Sequence, residues 1–304
     1  MAAVITAKQV QALRERTGVG MMKCKEALIA TDGDMEKAID MLREKGLAAA
    51  EKKASRIAAE GVIAQYNANG IAVLVEVNAE TDFVAKNPLF KEFAENIAKV
   101  VHANNPADVE ALLNMKYADT DMTVEDARKE KVLVIGENIQ IRRFERIEGN
   151  VFNYNHGDGR IGVIVNFAAD EAALNNPEFA AVAKNVCLQI AAMNPAYQSK
   201  EDVPAEVINK EKEILLAQIK NDPKNANKPE AILEKMIGGK INKYYTENCL
   251  LQQELFIDES VTIEKHIATL GKDVKLVNFV RMERGEGIQK REDNFAEEVA
   301  NMAK

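Results

Sequence analysis

The sequence predicts an α+β fold: an N-terminal three-helix bundle, a duplicated α+β core with antiparallel strands, an inserted helical hairpin and a short C-terminal helix. Three observations carry this. Glu60-Gly61 and Tyr66-Asn67 recur 88 positions later as Glu148-Gly149 and Tyr154-Asn155. Asn87-Pro88, Phe90, Ile97, Val101 and Asn105-Pro106 recur 89 positions later as Asn176-Pro177, Phe179, Val186, Ile190 and Asn194-Pro195. Self-similarity at a fixed offset marks a duplicated structural unit. Finally, Pro106 to Ile139 spans 33 residues whereas Pro195 to Val274 spans 79, so the second copy holds an insertion of 46.

The elements follow in order. Thr6 with Gln9 forms a capping box ahead of the apolar positions Val10 and Leu13. Thr17-Gly18-Val19-Gly20 breaks this helix, and a second runs from Met21 to Ala30. Asp34 caps a third, whose Met35, Ala38, Ile39 and Leu42 share one face, with Gly46 as its expected stop. Residues 47–60 are expected to form an exposed connecting helix. In the first copy, strands over 62–66 and 71–78 flank an Asn67-Ala68-Asn69-Gly70 hairpin signal. Phe90, Phe93, Ala94, Ile97 and Val101 stripe the helix after Pro88, helices follow over 106–116 and 123–134, and the alternation at 139–146 predicts a third strand. The second copy repeats this with strands over 151–154, 161–167 and 274–282 and a helix from Pro177. In the insertion, helices over 205–220 and 230–245 place Ile208, Leu215 and Ile219 against Ile232, Met236 and Ile241. Such a hairpin either protrudes toward a partner or a second copy, or folds back on the core. A terminal helix over 293–303 carries Phe295 and Val299. The expected domains are 1–52, 53–148, 149–287 with the insertion at about 197–247, and 288–304.

Composition narrows the function classes. The net charge of −8 is uneven: residues 1–56 hold 11 Lys/Arg against 8 Asp/Glu, and the remainder carries −11. An acidic body is repelled by phosphate backbones, and a chain without Trp offers little for base stacking, so nucleic acid is not the expected partner. No apolar run approaches the roughly 20 residues a membrane span needs, and the N-terminus lacks the order of a signal peptide, so a cytoplasmic protein is expected. Cys24, Cys187 and Cys249 are far apart and read as small buried hydrophobes. Gly157-Asp158-Gly159-Arg160-Ile161-Gly162 matches G-x-G-x-x-G literally, but a strand follows where the dinucleotide fingerprint needs a helix, so it reads as a hairpin turn. His102, His156 and His266 are dispersed, and no catalytic pair, metal set or cofactor motif emerges. An enzyme is therefore not expected.

The most telling segment is Glu80-Thr81-Asp82-Phe83-Val84, between an apolar strand and a helix start. An acid beside a Phe at such a junction is poor core material and suits contact with another molecule. The second copy sets Glu171-Ala172-Ala173-Leu174 opposite Thr81-Asp82-Phe83-Val84 and lacks the Asp-Phe pair. The alternative is that Phe83 covers a local edge, whose loss in the second copy would need compensation. Broken symmetry on a loop held by a repeated scaffold favours function. Met21-Met22 is a second unusual choice, since the two side chains lie about 100° apart and cannot share one thin core equally; one being core and the other incidental is the bland alternative. Arg14, between Leu13 and Glu15, reads as a solvated helix charge.

Two long segments resemble the signatures of bacterial elongation factor Ts: Arg16-Thr17-Gly18-Val19-Gly20-Met21-Met22-Lys23-Cys24-Lys25-Glu26-Ala27-Leu28, and Glu76-Val77-Asn78-Ala79-Glu80-Thr81-Asp82-Phe83-Val84-Ala85. The order of parts agrees over essentially the whole chain. Val19 stands where many relatives have Ala, and Lys23 where some have Asp. The resemblance implies a guanine-nucleotide exchange factor for the translational GTPase elongation factor Tu, with a ubiquitin-associated-like bundle. It implies that positions matching Arg14, Met21, Met22 and Lys25 touch the GTPase domain. It further implies that Asp82 and Phe83, within Thr81 to Val84, wedge near the nucleotide and disturb the Mg2+ surroundings. The position matching His156 meets another domain of the GTPase, and a homodimer in the complex is compatible with this pattern. The competing expectation is an interaction adaptor with the same bundle and no effect on nucleotide release.

Overall fold

The computed structural model describes residues 4–221 and 228–289. Three helices open the chain: α1 (Ala7–Thr17), α2 (Met21–Ala30) and α3 (Met35–Lys53). The Thr6–Gln9 capping box is formed, and Asp34 caps α3 by accepting from the Lys37 N–H. Val10, Leu13, Cys24, Ala27, Leu28, Ala38 and Leu42 make the bundle core. Gly46 does not end α3, and the exposed helix expected over 47–60 is the last part of α3 followed by a turn. The reason is tertiary. Gly46 is buried in mid-helix against Leu133 and the Lys129 carbonyl, so packing overrides its weak helix propensity.

The first copy comprises β1 (Glu60–Ala68), β2 (Ile71–Ala79), the short α4 (Asp82–Ala85), α5 (Pro88–Asn104), α6 (Val109–Leu113), α7 (Val124–Ile135) and β3 (Gln140–Glu148). The second comprises β4 (Asn150–His156), β5 (Ile161–Ala168), α8 (Glu171–Leu174) and α9 (Phe179–Met193). It continues with α10 (Ala205–Asn221), α11 (Glu230–Asn248), a small β6 (Glu254–Leu255) and β7 (Asp258–Thr262) ladder, α12 (Ile263–Ala268) and β8 (Lys275–Glu283). The antiparallel sheets β1-β2-β3 and β4-β5-β8 are equivalent. Each carries a register shift at the same place, Glu76/Val77 in one and Asn166/Phe167 in the other. The helices α5 and α9 both end on an αL asparagine, Asn105 and Asn194, each with φ 47°. The helix expected over 106–116 is only the short α6.

The two sheets pack back to back, each with helices on its outer face. Strand alternation builds this directly. Val73, Val75 and Val77 of β2 face the first helical layer, while Ala72 and Leu74 face the seam between the sheets. In β5, Val163, Val165 and Phe167 face outward and Ile164 faces the seam. A strand covered on both faces reads as a continuous apolar run. The G-x-G-x-x-G match belongs to this seam: a Cβ on Gly162 would lie 2.5 Å from Ile63 Cγ2, and one on Gly159 would lie 2.9 Å from Val62 Cβ. These glycines let the sheets approach, and the match is the hairpin turn the sequence predicts.

A buried carboxylate also locks the copies together. Glu76 is fully buried and accepts from Arg143 Nε at 2.6 Å, Gly285 N at 2.7 Å, and Arg142 Nη1 and Asn78 Nδ2 at 3.1 Å. Burial alone would push its pKa up, but the Gly285 N–H, Arg143 and Asn78 outweigh burial and hold it below the ordinary value. Gly285 follows β8, so this cluster ties the end of the second copy to the first.

The insertion forms the helical hairpin and builds its own core from Val203, Ile208, Leu215, Ile241 and Cys249, joined by Ile237 and Tyr244. Ile232, expected inside, is half exposed, and Ile237 packs in its stead. The terminal helix expected over 293–303 lies outside the described residues.

Candidate functional site

Phe83 is the most conspicuous apolar side chain of the first copy, at 82% exposure. Its presentation begins with β2, which delivers the chain to Thr81. Thr81 caps α4 by accepting from the Val84 N–H at 3.3 Å. Val84 and Ala85 then bury into the core against the first sheet. With Val84 fixed inward, Phe83 points outward. The four residues expected to act as a wedge therefore divide: Thr81 caps, Val84 anchors, Phe83 projects and Asp82 lies at the rim. Lys86 Nζ donates to Asp82 Oδ2 at 2.7 Å, and this bond with the nearby positive charge keeps the Asp82 carboxyl below its usual range. Exposed pairs of this kind are weak and exchange readily with another partner.

The structure also settles how the two loops correspond. The helices α4 and α8 each follow their N-cap, Thr81 and Asp170. Asp82 thus corresponds to Glu171, Phe83 to Ala172 and buried Val84 to buried Ala173. The pairing expected from sequence was displaced by one residue, because the first copy has one more residue between the bulge and the cap.

The helix α2 buries Cys24, Ala27 and Leu28, leaving Met21 54% and Met22 67% exposed, with Lys25 exposed beside them. Neither methionine serves the bundle core. Arg14 is exposed on α1. His156 ends β4 and is exposed, with its Nδ1 3.0 Å from Tyr154 Oη. The tip of its hairpin is tied to α5 by Lys91 Nζ and Asp158 Oδ2 at 2.6 Å.

Sequence reading missed what joins the methionine helix to the Phe83 loop. Lys23, on α2 next to Met22, donates from Nζ to the Leu133 carbonyl at 3.2 Å. Lys53, at the end of α3, donates to the Gly136 carbonyl. Both take up carbonyls at the C-terminal end of α7, where a helix favours cations. Glu137 and Asn138 follow at once and bond to residues 80 and 81 and to the link after α3. Ile57, half exposed on that link, is a further apolar side chain beside the Arg56–Glu80 pair. Only long-range bonds reveal these roles, and no local pattern announces them.

A cavity of about 660 Å3 lies beside the contact between the bundle and α7 and is lined by Val19, Ile39, Leu42, Met122 and Leu133 among others. Phe83, Met21 and Met22 do not line it. Among the described residues no His, Cys, Asp and Glu group has metal-holding geometry, and no helix is long and apolar enough to cross a membrane.

Phe83, Met21 and Met22 are thus exposed apolar side chains on braced supports, outside that cavity. Comparison with known proteins is specific. The family described as Elongation factor TS matches residues 80–286. Elongation factor Ts of Syntrophotalea carbinolica is 47% identical over 307 residues, covering 99% of each chain. That of Clostridium perfringens strain SM101 is 50% identical over 308, covering 98% of this chain and 99% of the relative. That of Clostridium botulinum strain Alaska E43 is 48% identical, covering 98% of each. The chain belongs to the elongation factor Ts family and is thus a translation elongation factor.

Proposed function

We propose that this chain is a guanine-nucleotide exchange factor that binds elongation factor Tu carrying GDP and promotes GDP release. The observation that carries the reading is Phe83: a large apolar side chain, 82% exposed, on a turn whose neighbours are capped and buried. An exposed Phe on a braced turn can enter between two helices of a partner and shift them. Asp82 exchanges Lys86 for polar groups around the bound Mg2+. GDP and Mg2+ stabilise each other on a GTPase, so disturbing the metal weakens the nucleotide. By linkage, a protein that binds the nucleotide-free GTPase more tightly weakens nucleotide affinity by the same factor. No bond is made or broken by this chain, and it needs no cofactor of its own.

Arg14, Met21, Met22 and Lys25 are assigned to contact with the GTPase domain, and His156 to a second domain of the same partner. Residues 1–52, 53–148, 149–287 and 288–304 are proposed as the units, and the α10–α11 hairpin as the element for any homodimer of the complex. Action in the cytoplasm is part of the same reading, and the acidic body supports protein and not nucleic acid as the partner.

The test is release of fluorescent GDP from elongation factor Tu into excess unlabelled GDP. Fast release by the wild-type protein and a loss of about tenfold or more in Phe83→Ala, equivalent to about 1.4 kcal/mol, is the expected result. Fast release by both would move the mechanism away from Phe83. Slow release by both would leave an adaptor. Titration of a Met21→Ala, Met22→Ala double variant should show affinity for elongation factor Tu weakened by about tenfold.

A further inference from the structure

We infer that Glu137 is a positioning residue for Phe83: its carboxylate clasps residues 80 and 81 to the C-terminal end of α7 and fixes the turn that presents the Phe. The inference rests on the exchange reading above for its consequence in activity, and on geometry alone for the clasp. Glu137 Oε2 accepts from the backbone N–H groups of Glu80 and Thr81, both at 3.0 Å. Its Oε1 accepts from Thr81 Oγ1 at 2.7 Å. Thr81 Oγ1 accepts in turn from Val84 N, so one chain of bonds runs from Glu137 across Thr81 into the first turn of α4. Phe83 lies inside that turn.

The clasp is reciprocal. Glu80 Oε1 accepts from the Asn138 N–H at 2.6 Å, so each segment's carboxylate takes up the other's backbone donors. An ionised carboxylate is an acceptor with no donor, which suits it to converging N–H and O–H groups. Such charge-assisted bonds are roughly twice as strong as neutral ones. Glu137 follows Gly136, the αL cap of α7. The same end of α7 receives Lys23 from the methionine helix and Lys53 from α3. The segment 133–138 therefore sets the spacing between Met21-Met22 and Phe83. In the second copy Ile141 and Leu276 hold equivalent places opposite Val77 and Phe167, which puts Lys272 where Glu137 stands. An ammonium cannot accept from N–H groups. The loop that carries Ala172 is capped by its own Asp170, whose Oδ1 accepts from Ala173 N at 2.8 Å. The clasp accompanies the Phe and is absent where an Ala replaces it.

Two readouts test this. First, Glu137→Ala, Phe83→Ala and the double variant are compared in GDP release from elongation factor Tu. Glu137→Ala should slow release by about tenfold in the wild-type background and by less than about twofold in the Phe83→Ala background. Glu137→Gln, which keeps an acceptor for the two N–H groups, should recover most of the loss. An equal loss in both backgrounds, or no loss, overturns the inference. Second, amide hydrogen exchange is followed in the free protein. The amides of Val84 and Ala85 should exchange faster in Glu137→Ala while those of α5 are unchanged. Unchanged protection at Val84 overturns the clasp whatever the release assay gives. Should wild type itself fail to release GDP while the amides respond as stated, the exchange reading falls and the clasp stands. If Glu137→Ala does not fold, Glu137→Lys, which carries the residue type of the second copy and cannot accept from the N–H groups, takes its place in both readouts.

Discussion

The loops at α4 and α8 are the same piece of architecture put to different use. Both follow a bulged strand, both open on a capped turn, and both bury the third residue of that turn, Val84 in one and Ala173 in the other. They part at the second residue, where the first copy has Phe83 and the second Ala172, each exposed. Because the scaffold's packing requirement is met at the buried position, the neighbouring position is free of it in both copies. Burial favours apolar side chains, but a Phe left in water gains nothing from the fold. Its presence fits the proposed contact with a partner.

The largest way to sharpen the comparison is at the bulges themselves. The first copy places Glu76 there, fully buried and held by Arg142, Arg143, Asn78 and Gly285; the second places Asn166, whose Nδ2 is 3.4 Å from the Glu148 carbonyl. Removing one member of a buried charged cluster is costly, and Arg142 and Arg143 keep partial access to water, so Glu76→Ala should lose about 3 kcal/mol in urea unfolding. Asn166→Ala should lose about 1 kcal/mol. The pH dependence has a definite sign. Glu76 is held below its ordinary value of 4.5, so its contribution is full above that pH and fades as pH falls through the folded value. The gap between wild type and Glu76→Ala should therefore close in acid. A gap independent of pH would mean that Glu76 acts through shape.

Next in size is the seam. Ala72 and Gly162 hold equivalent places in β2 and β5, but only Gly162 faces atoms that a Cβ would strike, Ile63 Cγ2 at 2.5 Å and Leu74 Cδ2 at 2.9 Å. Gly162→Ala should cost about 1–3 kcal/mol by overpacking. Thermal unfolding checks this, and a neutral result would show that the two sheets slide apart at little cost. Gly46 offers the opposite case: a Cβ there would sit 3.5 Å from the Lys129 carbonyl and 3.7 Å from Leu133, ordinary contact distances. Gly46→Ala should stabilise the protein by about 0.5–1 kcal/mol through helix propensity, read as a raised unfolding midpoint.

These cases also show what the sequence could reveal. The duplication, the strand alternation, the stripe of Phe90, Phe93, Ala94, Ile97 and Val101 and the Thr6–Gln9 cap were legible, because each is a local pattern of period two, period 3.6 or fixed offset. The continuation of α3 through Gly46 was not, since the cause is α7, more than eighty residues away. The candidate site divided along the same line. Phe83 and the methionine pair stood out as residues that did not suit a core. Glu137, 56 residues from Thr81, looked like any surface acid until the fold brought its carboxylate to the loop. The one-residue displacement between the loops arose because caps fix register there, and Thr81 and Asp170 share a role without sharing an identity.

The smallest expected effect on stability is also the sharpest on meaning. Phe83→Ala removes an 82% exposed side chain and should shift the unfolding free energy by less than about 0.5 kcal/mol, as should Ala172→Phe on the equivalent exposed position. The pair together moves the Phe from the first copy to the second at constant composition. If an exposed Phe on an α+β scaffold were enough, this double variant would regain GDP release on elongation factor Tu. It should not, because the receiving loop has Lys272 where the donor loop has Glu137, and because the methionine helix is joined to α7 of the first copy. Recovery of release would show that the Phe alone carries the activity and that the surroundings of the first loop add nothing to it.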